Sequence, residues 1–71
     1  MARMQSDMRE LDGLLDYTIR HNKEHAEELK NLAKKASELG KSRVDDEIKR
    51  GVEQLNQANQ SLEKALKQLR E

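Results

Sequence analysis

The chain has 71 residues, 39% of them charged and 34% hydrophobic, with a single aromatic, Tyr17. That is one small domain without a large globular core. Fourteen Lys and Arg balance fourteen Asp and Glu, so no basic field exists to hold a nucleic-acid backbone, and the absence of Cys removes disulfides, thiolate metal sites and cysteine nucleophiles.

The opening MARMQSD carries no apolar stretch of the signal-peptide kind, and the longest apolar run is Leu14-Leu15. Neither a membrane partner nor a spanning segment is expected, and the cytoplasm is the expected compartment. Residues 1–6 are expected to be a flexible N-terminus and 7–71 a single domain. Asp7 followed by Glu10 resembles a capping box and predicts a helix start near residue 7. From Met4 to Leu39 a strict 4,3 spacing picks out Met4, Met8, Leu11, Leu15, Thr18, Asn22, His25, Leu29, Leu32, Ala36 and Leu39. This is a heptad seam, and Ile19, Ala26 and Ala33 widen it on one side into the stripe of a bundle helix.

Gly40 interrupts the pattern and suits the left-handed conformation that ends a helix, while Ser42 with Asp45 forms a weaker capping box for a second one. The second seam runs Val44, Ile48, Gly51, Leu55, Ala58, Leu62, Ala65 and Leu69, flanked by Val52 and Leu66. Small residues hold alternate positions of that seam, which predicts close approach on one flank. A connection this short makes the helices antiparallel, with residues whose numbers add to about 83 side by side, Leu39 near Val44 and Leu14 near Leu69. The fold class predicted is all-α, an antiparallel helical hairpin over residues 7–39 and 43–70. Two helices cover each other along one line only, so Leu14, Ile19, Val52 and Leu66 need further cover. A homodimer of hairpins, a two-fold four-helix bundle, supplies it.

The middle of the first seam is polar. Thr18, Asn22 and His25 interrupt the leucines, His21 lies beside them, and Asn59 with Asn56 falls opposite. The expected role of a belt made of Thr18, Asn22, His25 and Asn59 is to fix register and partner number at some cost in stability. The alternative is a metal site: His21 and His25, spaced i,i+4, share a helix face that Glu28 continues, and such imidazoles suit Co, Ni or Zn. Two imidazoles are half a coordination shell, so Glu28 or a symmetry-related pair has to complete it. His21 through His25 also matches H-x-x-E-H, the inverted zinc-protease signature. That chemistry needs a third ligand and a closed cleft in a large domain, whereas this chain predicts no strand and no aromatic lining, so the match is read as chance.

Leu14-Leu15-Asp16-Tyr17, followed by His21-Asn22-Lys23-Glu24-His25-Ala26-Glu27-Glu28-Leu29, resembles a small helical domain of bacterial and archaeal proteins often labelled cobalt or nickel transport proteins. Gly40-Lys41, Val52, Asn59 and Leu62-Glu63-Lys64-Ala65-Leu66 with Leu69 stand where that domain has like residues. A His-rich leader usually precedes the domain and none is expected here; Glu24 and Glu53 occupy places where the family often has further histidines. The resemblance implies that His21, Asn22, His25 and Asn59 are the residues of interest, in a family without a settled biochemical role. The function expected from the residues is a non-enzymatic, self-associating interaction module that needs no cofactor. Its partner is a second copy or another helical protein, and the alternative is a transition-metal-binding accessory protein using His21 and His25.

Overall fold

The computed structural model describes residues 2–71 as two helices, α1 (Ala2–Glu38) and α2 (Ser42–Arg70), joined by a short turn. The chain between Ala2 and Glu38 contains no Pro and only one Gly, and residues such as Ala, Arg, Met, Gln and Leu lose little freedom in a helix. α1 therefore starts at Ala2 rather than near residue 7, and Asp7 and Glu10 stand inside it instead of capping it. The expected N-terminal segment is accordingly helical over residues 2–6, while Met1 lies outside the described residues.

The turn follows from one glycine. Gly40 has φ 75°, the Gly40 N–H donates to the Ser37 carbonyl at 3.0 Å, and the Lys41 N–H donates to the Ala36 carbonyl at 2.8 Å. This pair of bonds is the Schellman arrangement, which satisfies carbonyls that the end of α1 leaves open. The second start differs from expectation. Lys41 occupies the N-cap position, no side chain caps the helix, and Ser42 is already its first residue. Asp45 stands in the first turn, where its charge opposes the positive helix end.

Contacts across the hairpin confirm the antiparallel register: Asn22 meets Asn59, Lys23 meets Glu63, and Asp12 meets Arg70. The rotation of the helices about their own axes is different from the seam read off the sequence. In α1 the fully buried positions are Ile19, Ala26, Ala33 and Ala36, with Leu15, Asn22 and Leu29 half-buried between them. In α2 they are Asp45, Val52, Asn59 and Leu66, with Ile48, Leu55, Leu62 and Leu69 half-buried. Half of each expected seam thus faces the partner helix, and the other half is replaced by the residues next along the chain. Leu11, Thr18, His25, Leu32, Leu39 and Val44 are exposed instead. Rotation toward Ile19, Ala26 and Ala33 removes three apolar side chains from water and keeps the polar Thr18 and His25 side chains on the solvent side. The alanines also let the two backbones approach closely.

The two broad faces of the hairpin are unlike each other. One carries Asp16, Lys23, Glu63 and Arg70 and is strapped across by ion pairs: Lys23 to Glu63 at 3.5 Å, and a bidentate contact from Arg70 to Asp12 at 2.8 and 2.9 Å. The other follows the positions just before each buried residue, which in an antiparallel pair flank the same side of the seam. It carries Leu11 and Leu32 from α1, Leu39 from the turn, and Val44, Gly51 and Ala58 from α2. Leu32 is 53% and Leu39 68% exposed. Among the described residues no helix is long and apolar enough to cross a membrane.

Candidate functional site

Asn59 sits at the middle of α2 on the buried side and is only 5% exposed. A buried amide needs partners, and it has two: Asn22 Nδ2 donates to Asn59 Oδ1 at 3.1 Å, and Asn59 Nδ2 donates to the Ile19 carbonyl at 3.0 Å. The second bond ties a side chain of α2 to the backbone of α1, which pins the register independently of apolar packing. Of the predicted belt, the structure brings Asn22 and Asn59 together and sets Thr18 and His25 on the open face. Thr18 satisfies its own hydroxyl by donating to the Leu14 carbonyl one turn back, at 2.8 Å.

His21 and His25 form a cluster outside the seam. Their Nε2 atoms lie 2.8 Å apart, one donating and the other accepting, with the rings edge to face at 4.3 Å between centroids. Tyr17, one turn before His21, stacks on it at 5.6 Å, which extends the ladder along the exposed side of α1. Glu28 Oε2 stands 3.3 Å from His25 Nδ1, on the ring edge turned away from His21. It therefore orients His25 and does not share the space between the two Nε2 atoms.

The chemistry of this donor set can be tested on its geometry. Two imidazole nitrogens bound to one transition-metal ion at about 2.0–2.1 Å in cis positions stand roughly 2.9–3.4 Å apart. The His21–His25 pair is already near that separation, and a carboxylate on the outer nitrogen is the usual way a ligating histidine is held. One chain brings only these two imidazoles together: among the described residues no group of three or more His, Asp or Glu side chains is placed to hold a metal ion. Glu24 lies with Tyr17, Arg20 and His21 along a shallow surface depression on the outer side of α1.

One contact escaped the sequence reading. The Asp12–Arg70 pair closes the open end of the hairpin, and its signal was only the antiparallel register applied to opposite charges. The hydrogen bond from Arg70 holds the Asp12 carboxyl below its ordinary value of 3.8; desolvation opposes it and the Arg70 charge adds to it. A carboxyl whose folded value is depressed adds stability above its unfolded value, and that stability is lost as pH falls through the folded value. Arg70→Ala is therefore expected to lower stability modestly in the neutral region, where the contribution of the pair is complete, and to converge with the natural chain as the pH falls below about 4, which flattens the acid limb. Thermal denaturation at a series of pH values checks this, and an unchanged acid limb in the variant would show that the pair does not couple to folding.

The fold and these contacts define an antiparallel helical hairpin with an amide layer at mid-height and an imidazole pair on its open side. Residues 11–69 match the family described as Domain of unknown function (DUF8180), and the chain belongs to it. The match spans both helices and the turn and begins at Leu11, beyond the first turns of α1. No curated protein and no solved structure matches the chain. The family description names no activity, metal or transport role.

Proposed function

We propose that the chain is a non-enzymatic module that associates with itself, two hairpins closing into a four-helix bundle through the apolar face. One observation carries this reading: large apolar side chains stand exposed at both ends of a single face, Met4 and Leu11 at one end and Leu32, Leu39 and Val44 at the other, with polar Thr18 and His25 between them. Clusters of exposed large apolar side chains on a small domain mark an interaction site. The interior supports the same conclusion, since the buried apolar side chains are Ile19, Val52, Leu66 and three alanines, a thin core for a chain of this length. Sedimentation equilibrium at micromolar concentration is expected to give twice the chain mass. A well-folded monomer under those conditions would remove the proposal, and another helical protein would then be the partner to seek.

A second reading has its own observation. The convergence of the His21 and His25 Nε2 atoms at 2.8 Å favours capture of a divalent transition metal such as Co, Ni or Zn. Calorimetric titration with each ion is expected to release heat from the natural chain and none from a His21→Ala/His25→Ala variant. Equal heat from both chains, or none from either, rules it out.

A further inference from the structure

We propose that the two copies are related by a two-fold axis crossing the Asn22–Asn59 layer, with their turns at opposite ends, so that α1 packs antiparallel on α1 of the second copy. This rests on the self-association reading above and adds its geometry.

The open row of α1 is polar in the middle and apolar at both ends: exposed Thr18 and His25 stand at its centre, Leu11 and Leu32 beyond them, and Met4 and Leu39 at its ends. Half-buried Asn22, at the level midway between Thr18 and His25, lies along its inner edge with Leu15 and Leu29 a further step out on either side. An antiparallel copy centred there sets polar against polar and leucine against leucine. A displaced centre would bury an amide or imidazole against leucine with no hydrogen bond, which is costly. The Asn22–Asn59 hydrogen bond places the middle of α2 at the same height. Around that point Leu55 falls opposite Leu62 of the second copy, and Ile48 opposite Leu69. Gly51 presents open space, where an added Cβ would meet nothing within 4 Å. Gly51 and the neighbouring Ala58 and Ala65 thus leave room for the second α2 to come close.

The ends of the hairpin decide between this axis and one running along the bundle. Arg70 reaches Asp12, so α1 continues beyond the end of α2, and Met4 and Met8 on that overhang are 65% and 48% exposed. At the other end Leu32 and Leu39 are exposed near the turn. With the axis at Asn22 these two open ends meet: Met4 lies over Leu39 of the second copy, Met8 over Ala36 and Leu11 over Leu32. On the outer edge Asp7 falls opposite Lys35, which is complementary in charge. An axis along the bundle would place both turns at one end and leave both overhangs bare. The area suffices, since a face 58 Å long and 15 Å wide offers roughly 800 Å² per copy, the share each partner gives to a standard stable interface. The axis leaves the bundle beside the outer edge of α1, between the His21–His25 pairs of the two copies, so that a metal ion taken by one pair would find four imidazoles.

The chain has no cysteine, so introduced thiols report position directly. Leu11→Cys and Leu32→Cys chains, each folded by circular dichroism, are oxidised gently alone and as an equimolar mixture after subunit exchange. The axis predicts covalent dimers in the mixture only, at about half of all dimers, the statistical share for a symmetric pair. Dimers by sedimentation with no mixed cross-link, or self-cross-linking of Leu32→Cys alone, would overturn the axis while leaving self-association intact. Monomers by sedimentation would overturn both.

Discussion

Leu66→Ala is expected to destabilise the chain by about 2–4 kcal/mol, the upper part of what a chain this short has to lose. Leu66 is buried at 7% exposure, and of the buried apolar side chains only Ile19, Val52 and Leu66 are larger than alanine. Truncating it loses its transfer free energy and opens a cavity between two helices whose backbones cannot collapse further, because the Asn59 bond to Ile19 holds their spacing. For a domain of this size each kcal/mol moves the thermal midpoint by about 4–8 °C, so a fall of more than about 10 °C is expected by circular dichroism. Leu32→Ala is the contrast: exposed by 53%, it is expected to weaken association and leave the hairpin folded. A midpoint for Leu66→Ala close to that of the natural chain would mean that the hairpin interior is not what holds the fold.

The amide layer should respond in opposite senses to single and double replacement. Asn59→Leu alone leaves the Asn22 amide facing a leucine and removes the bond to the Ile19 carbonyl, with an expected cost of about 1–3 kcal/mol. Asn22→Leu together with Asn59→Leu removes both polar partners at once. Apolar replacement of a complete buried polar pair is often neutral or stabilising, so the double variant is expected to melt at or above the natural chain's midpoint. Its defect should appear as specificity. With leucine throughout both seams nothing distinguishes one register or one partner number from the next, and sedimentation is expected to show a mixture of species. A double variant that melts well below the natural chain, or one that stays a single species, would argue against a register role. His25 does not belong in this experiment, because it lies on the open face and reaches His21 rather than Asn59.

The number and order of the helices, the turn at Gly40 and the meeting of Asn22 with Asn59 were legible in the chain. Each depends on local signals or on spacing: good helix formers without Pro, one glycine where the period breaks, and a connection so short that only one register is open. The same arithmetic brings Asp12 to Arg70, a contact that would have been found had opposite charges been sought along it. The caps were misread because Asp7–Glu10 and Ser42–Asp45 match a short pattern that also occurs inside helices: α1 already begins at Ala2, and α2 begins at Ser42 with no side-chain cap.

What sequence alone could not decide is which side of each helix faces the other. The apolar stripe is three positions wide, so Leu11, Thr18, His25 and Leu32 form one acceptable seam with Leu15 and Leu29, and Ile19, Ala26 and Ala33 form another. Periodicity ranks both alike, since each recurs every seven residues. The choice depends on both helices together: which rotation buries Val52 and Leu66 with Ile19, brings alanines to the closest approach, gives Asn59 its two partners and leaves the Thr18 hydroxyl and the imidazoles on the solvent side, with partners on their own helix. Those are sums over pairs distant in sequence, and they exist only once the helices are in contact. The composition determined that apolar residues would fill two narrow seams and no more; the packing decided which of them line the hairpin interior and which stay exposed.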